Sequence, residues 1–293
     1  MGAMEAKSHR VPAADGLALN LLEWSADGTP MLLIHGFSNE AHIWDDFVET
    51  VTPFYRVMAL DLRGHGDSDW HPEAAYDYDD HVRDLESILD HLEMDRVVLV
   101  AHSLGGRASM LFGGRHPERI AGLVIVDSAP ELDLRGTARI SMDTAQNQDP
   151  SFGSVAEYER MLVHAYPAAT PAAIRRMAKH GLREGEGGRW ILKMDPAMRA
   201  AMKPEGEEQI AQVAEHHERY REEMWQSLGR ISSPTLVVRG AASDIVSAEV
   251  ADRMVDDVLP QGQLAVVGQA GHSVMTDNPE GFARAVGAFV LGE

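Results

Sequence analysis

No cysteine occurs among the 293 residues. That absence removes disulfides, thiolate metal sites, thiol nucleophiles and redox switches together. Any covalent nucleophile must therefore be oxygen or nitrogen. Positive charge is scarce as well. Against 46 Asp and Glu stand 26 Lys and Arg, a formal net charge of −20. Nucleic acid is disfavoured as a partner, because binding its backbone rests on clustered Lys and Arg. Adhesion to anionic membrane surfaces is disfavoured for the same reason. Long hydrophobic runs are missing too. The longest, such as 97–101 and 123–126, are far too short to span a bilayer, so no membrane insertion is expected. Residues 1–10, MGAMEAKSHR, hold no apolar stretch of the kind a secretory signal needs, so a cytoplasmic location is expected. No internal repeat or low-complexity tract is visible. What is present, 44% hydrophobic and 25% charged residues, is the composition of a globular chain long enough for a large core.

Hydrophobic periodicity organises the chain. Leu17, Leu19 and Leu21 alternate with Ala18 and Asn20, which reads as a half-exposed strand over 17–24. Compact apolar runs at 31–34, 57–60, 97–101 and 123–126 read as strands buried on both faces. Helical spacing lies between them, at 42–52, 78–94 and 104–116, with Asp79 or Asp80 as the expected cap of the second. Alternating strand and helix implies an α/β fold with a mostly parallel, covered sheet and right-handed crossovers. Ligands of such sheets bind beyond the carboxyl ends of the strands.

From 130 to 229 the β-branched runs vanish. Helix-period segments at 155–166, 171–182 and 205–228 replace them, and the strand pattern resumes at 235–238 and 264–267. The expected organisation is one core, residues 1–129 and 230–293, interrupted by a helical insertion. Insertions of this kind sit over the ligand crevice, which makes this one a candidate lid. Its Met and aromatic residues (Tyr158, Met161, Trp190, Met194, Met198, Met202 and others) are read mainly as a small core of its own.

Chemistry concentrates where the run 97–101 enters Ala101-His102-Ser103-Leu104-Gly105 and a helix follows. This is the small-x-Ser-x-small pattern of a nucleophile elbow. The serine sits on a strained strand-to-helix turn, and its neighbours two before and two after must be small to let backbones pass. The turn also aims the Leu104 N–H and the start of a helix dipole at the reacting oxygen. Gly64-His65-Gly66 lacks the third glycine of a dinucleotide fingerprint, because Asp69 holds that position. No H-E-x-x-H or comparable ligand spacing occurs, so no metal is expected.

With the elbow in place, nearly the whole chain resembles the α/β-hydrolase fold family. His35-Gly36-Phe37 is similar to the family's oxyanion loop, and 61–68 to its D-x-R-G-x-G-x-S turn. The resemblance implies an eight-stranded sheet with a helical cap inserted after the sixth strand. It also implies Ser103 as nucleophile, His272 as base, and Phe37 and Leu104 as backbone oxyanion donors. The acid expected from family order is Asp244, after the seventh strand; Asp127, after the sixth, is the rival. A serine attacks a carbonyl only when a base takes its proton and a third group holds that base. The implied activity is hydrolysis of a neutral or apolar carboxylic ester, a small-molecule substrate, with no cofactor. C–C bond hydrolysis and perhydrolysis on the same triad remain open. So does a ligand-binding receptor that retains the triad, and so does the choice between monomer and homodimer. Haloalkane dehalogenases and epoxide hydrolases resemble the chain less, because they need a carboxylate at the elbow.

Candidate pocket walls are Trp44, His102 and Trp190. His35 reads as a brace for the oxyanion loop, and His216-His217 as solvated residues. The stretch 40–96 holds 16 acidic and 4 basic residues, hence −12, and reads as a solvated acidic surface.

Overall fold

The computed structural model describes residues 4–146, 151–201 and 206–292. Eight strands form one sheet: β1 (Lys7–Pro12), β2 (Ala18–Glu23), β3 (Thr29–Ile34), β4 (Tyr55–Leu60), β5 (Val97–His102), β6 (Ile120–Val126), β7 (Thr235–Gly240) and β8 (Gly262–Val267). Their order across the sheet is β1-β2-β4-β3-β5-β6-β7-β8. The pairs β1–β2 and β2–β4 are antiparallel, and every other pair is parallel. All six residues of β5 are buried, as a central parallel strand covered on both faces requires. β1 was not anticipated. Five of its six residues are exposed, so no apolar pattern marks this edge strand.

The longer helices are α1 (Asp45–Val51), α2 (Tyr78–His91), α3 (Ser103–Arg115), α4 (Leu134–Gln146), α5 (Val155–Ala165), α6 (Pro171–His180), α7 (Pro196–Ala201), α8 (Glu207–Arg230), α9 (Ala248–Arg253) and α10 (Pro279–Leu291). Phe47 and Val51 of α1 join Phe282 and Val286 of α10 in the core on one face of the sheet. Residues of α2, α3, α8 and α9 fill the other face. α2 starts at Tyr78 as expected, but its N-cap is Asp77 and not Asp79 or Asp80; Asp80 accepts from the Asp77 N–H in a capping box.

The inserted segment between β6 and β7 holds α4 to α8 and three short antiparallel strands, Ser151–Phe152, Leu182–Glu184 and Trp190–Leu192. Strands of two or three residues carry no readable period, so the sequence suggested helices alone. Phe152, Tyr158, Leu162, Ile174 and Met177 form a separate small core there. Met202 lies outside the described residues. The last part of α8 belongs elsewhere: Tyr220, Met224 and Leu228 are buried in the core beneath the sheet, against α3.

Close approach of α3 and α8 depends on Gly114. A Cβ there would lie 2.4 Å from the Ser227 Cα and 2.2 Å from its Cβ. Two backbones must separate to admit it, and overpacking of this kind costs about 1–3 kcal/mol. Gly114→Ala is therefore expected to lower the unfolding free energy by that amount, read as a lower urea midpoint at an unchanged m-value. An unaltered midpoint would mean that the helices are not packed this tightly.

Candidate active site

β5 ends at His102, and Ser103 begins α3 with φ 51°, in the left-handed region that non-glycine residues rarely occupy. The turn is held by its surroundings. The Ser128 hydroxyl donates to the Ser103 carbonyl at 2.8 Å. Gly105 lets the helix pass β3, because a Cβ there would lie 2.6 Å from the His35 carbonyl oxygen. The Ser103 Oγ is 3.1 Å from His272 Nε2, on the loop after β8.

The other face of that imidazole meets Asp127. His272 Nδ1 lies 2.8 Å from Asp127 Oδ2. A carboxylate only accepts, so Nδ1 carries the proton and Nε2 presents its lone pair to the serine hydroxyl. The Asp127 side chain has no exposed surface. Its carboxylate also accepts from the Gly240 N–H at 3.1 Å and the Ser243 hydroxyl at 2.7 Å.

Asp244 is not in that position, which corrects the expectation that it faces His272. Its carboxylate is engaged by the Arg139 guanidinium of α4 at 2.7 and 2.9 Å. Hydrogen bonding to Arg139 holds its carboxyl below the usual range. Sheet order supplies the reason. β6 lies between β5 and β7, so a residue at its end sits beside both Ser103 and Gly240, whereas Asp244 lies four residues beyond the end of β7. The loop after β7 still serves the carboxylate at the histidine, through Gly240 and Ser243. Sequence reasoning passed over Ser243, whose only signal was its place beside Asp244.

β3 and β5 run in parallel with Ile34 opposite Ala101, which brings the loop after β3 to the elbow. Phe37 and Ser103 line one cavity. The Gly36 carbonyl accepts from His35 Nδ1 at 2.7 Å and from the Asn39 N–H at 3.2 Å. In a trans peptide these bonds turn the Phe37 N–H to the opposite side. His35 Nε2 accepts from the Leu62 N–H, and His65 Nε2 from the N–H of Ser38, itself at φ 62°. Leu104 is the second residue of α3, and the first four N–H groups of a helix have no partner inside it.

The turn at 61–68 is scaffold. Asp61 accepts from Asn20, the Ala41 N–H and the Asp67 N–H. Arg63 is fully buried and forks onto Asp84 at 2.6 and 2.7 Å.

The cavity above Ser103 measures about 770 Å³ and is walled by core and inserted segment together, with Tyr158, Met161 and Met194 among the latter. His102 lines it and donates through Nε2 to the His272 carbonyl at 2.9 Å. Trp44 does not reach it. That side chain is fully buried in the core, with its ring 5.9 Å from Phe282. Trp190 packs on the small core of the inserted segment, and Leu192 to Met194, further along the same stretch, face the cavity instead. Among the described residues no helix is long and apolar enough to cross a membrane.

A family model described as the alpha/beta hydrolase fold matches residues 29–279. A 2-(acetamidomethylene)succinate hydrolase of Mesorhizobium japonicum is 27% identical over 275 residues, covering 94% of this chain and 92% of its own. An esterase of Mycobacterium tuberculosis is 24% identical, covering 92% of this chain and 85% of its own. A crystal structure of E-2-(acetamidomethylene)succinate hydrolase superposes with a TM-score of 0.82 at 26% identity, over 98% of this chain and 99% of that one.

Three buried titratable groups around the loop after β3 make folding pH-dependent. Burial depresses His35 to about 4 and His65 to about 3, so both are neutral and accept at Nε2. Burial, with Asp61 nearby, pushes Glu40 up to about 8. Between pH 6.5 and 4 the unfolded chain takes up protons on the two histidines that the folded chain refuses, so stability falls as pH falls. Glu40 acts oppositely above pH 4.5, where only the folded state keeps its proton. The urea midpoint is expected to drop from pH 6.5 to 4, and to drop more steeply in Glu40→Gln. Parallel curves would mean that Glu40 is ionised in the folded protein.

Proposed function

The chain belongs to the α/β hydrolase fold family, and from that membership we propose that it is a serine hydrolase cleaving a carboxylic ester through an acyl-enzyme. The observation that carries the reading is the continuous hydrogen-bond chain from Ser103 through His272 to the buried Asp127, at the floor of a cavity.

In this mechanism the Ser103 oxygen attacks the ester carbonyl while His272 Nε2 takes its proton. Asp127 holds the Nδ1–H tautomer and stabilises the imidazolium, the role the sequence assigned to Asp244. The Phe37 and Leu104 N–H groups receive the oxyanion, at roughly 3 kcal/mol per donor. His272 returns the proton to the departing alcohol. Water then attacks the acyl-enzyme, with His272 again as base, and Ser103 is released. The inserted segment acts as the cap over the acyl and alcohol sites, and its entry and exit gate the reaction.

The test is turnover of an ester panel of graded acyl length. Ser103→Ala is expected to abolish it. Asp127→Asn is expected to reduce kcat by about 10⁴-fold, since an amide holds the wrong tautomer, and Asp244→Asn by less than about tenfold. A larger loss in Asp244→Asn would reverse the assignment of the acid. No turnover of any ester by the wild type would refute ester hydrolysis.

A further inference from the structure

One carboxyl in the cavity wall is only half bonded. Glu40 is 6% exposed and lines the cavity above Ser103. It caps the short helical turn Ala41–Trp44, with Oε2 accepting from the His42 N–H at 2.7 Å. Among the described residues nothing pairs with Oε1, and that atom is not one of the fully covered ones. The neighbouring carboxyls make no bond to it: Asp61 accepts from Asn20, the Ala41 N–H and the Asp67 N–H, and Asp45 is engaged by His42. Burial, with Asp61 nearby, pushes Glu40 up to about 8, so the neutral acid prevails at physiological pH. A neutral acid has one carbonyl oxygen and one O–H. The carbonyl oxygen is the better acceptor for the His42 N–H, which leaves the proton on Oε1. The wall therefore holds a buried donor that no described residue accepts from, and a ligand oxygen would meet that need.

A second donor comes to the same cavity from the inserted segment. Tyr158 of α5 is buried and lines it, and its hydroxyl also has no hydrogen-bond partner among the described residues. The phenol is near enough to Glu40 for ionisation there to raise its pKa. Both groups are held in place. The Ala41 N–H is fixed to Asp61 at 2.7 Å and the Ile43 N–H to the Glu40 carbonyl at 3.1 Å. The Tyr158 ring packs 4.8 Å from Phe152, in the small core of the inserted segment. Little ordering cost therefore falls on binding. Two of the wall's cations bring no net charge: Arg139 is paired with Asp244, and Lys193 with Asp67. Two neutral donors suit a neutral acceptor, and a carbonyl oxygen has two lone pairs to offer.

We propose that the compound cleaved here carries a neutral carbonyl group remote from the scissile ester, and that the buried Glu40 carboxyl, together with the Tyr158 hydroxyl, donates to that carbonyl. This rests on the serine hydrolase reading for turnover, though not for binding. It narrows the neutral or apolar ester expected from the sequence to a neutral one with a second polar oxygen. Glu40 and Tyr158 act as specificity determinants: a site built to bond a substrate oxygen discriminates against the analogue that lacks it, because its own buried groups are then left unpaired.

Two substrate series test this: methyl esters of straight-chain acids of graded length, and the same esters with an oxo group on the penultimate carbon. Turnover is followed by alkali uptake in wild type, Glu40→Leu, Glu40→Gln and Tyr158→Phe. Binding of both series to Ser103→Ala, with and without Glu40→Leu, is followed by calorimetry. The wild type is expected to favour the best oxo ester over its plain match by about tenfold or more in kcat/KM. Glu40→Leu should bring that ratio close to one, mainly through KM. Glu40→Gln, whose amide still donates, should keep most of it, and Tyr158→Phe, which removes a single oxygen, should lower it in part. Ser103→Ala should lose its selective binding when Glu40→Leu is added. Equal or better handling of plain esters at every length would overturn the proposal. So would a Glu40→Gln protein as unselective as Glu40→Leu, or substitutions that weaken both series alike. A preference for esters ending in an ammonium group would overturn it too, by showing Glu40 ionised and binding a cation. The binding arm separates the two readings. Selective, Glu40-dependent binding without any turnover would sink ester hydrolysis and keep the carbonyl site. Turnover without selectivity would do the reverse.

Discussion

A buried carboxylate at the end of β6 organises everything around it. Ionised groups without exposed surface are tolerated only when their lone pairs are occupied. Asp127 meets that demand with three donors from three places: the end of β7 through Gly240, the following loop through Ser243, and the loop after β8 through His272. The same bonds that satisfy the charge pin those segments to one another. The histidine is oriented because the carboxylate needs it, and the serine finds a lone pair because the histidine is oriented. Loss of any donor would leave a buried charge short of partners, and such networks fail as units.

Backbone strain gathers at the same edge of the sheet. Ser38, Ser103 and Asp127 all have φ between 42° and 62°. They follow β3, β5 and β6, adjacent strands whose ends face the cavity. Such conformations cost about 1–3 kcal/mol each and persist only where the surroundings over-determine them. Here each strained residue has its own restraint: His65 at the Ser38 N–H, Ser128 at the Ser103 carbonyl, and Val238 accepting from the Asp127 N–H at 2.7 Å. The scaffold turn at 61–68 supplies one of these restraints, His65. That gives the turn a share in the site although none of its carboxylates reaches the serine.

Local patterns in the chain announced the parallel sheet, the elbow and the histidine loop, because each is written in contiguous residues. Buried runs of four to six apolar residues can hardly be anything but central strands. Ala101 to Gly105 carries its steric logic in five letters. What escaped depends on strand order. Asp127 and Asp244 both follow strands, and choosing between them requires knowing that β6 lies between β5 and β7. Trp44 follows the same rule: proximity to the loop after β3 along the chain says nothing about which face of the sheet a side chain enters. The short strands of the inserted segment and the exposed β1 had no period to detect.

With Asp127 at the end of β6 facing His272, the rest of the loop after β7 is left to other contacts. Asp244 no longer has to serve a histidine, and its carboxylate is free for a different task. It grips Arg139 of α4 in a fork, while the Asp133 N–H donates to the Ile245 carbonyl at 2.8 Å just beside it. The start of the inserted segment is thus fastened to the loop after β7, next to the end of β6. Gly136 lets them touch, since a Cβ there would lie 2.3 Å from the Asp244 carbonyl oxygen. A partly exposed ion pair alone would contribute little. Combined with a backbone bond and a close contact, it fixes where α4 departs from the core, and so helps set the height of the roof over Ser103. The two acidic positions that compete in the sequence are therefore complementary in the fold: one holds His272, and the other helps place the wall of the cavity above Ser103.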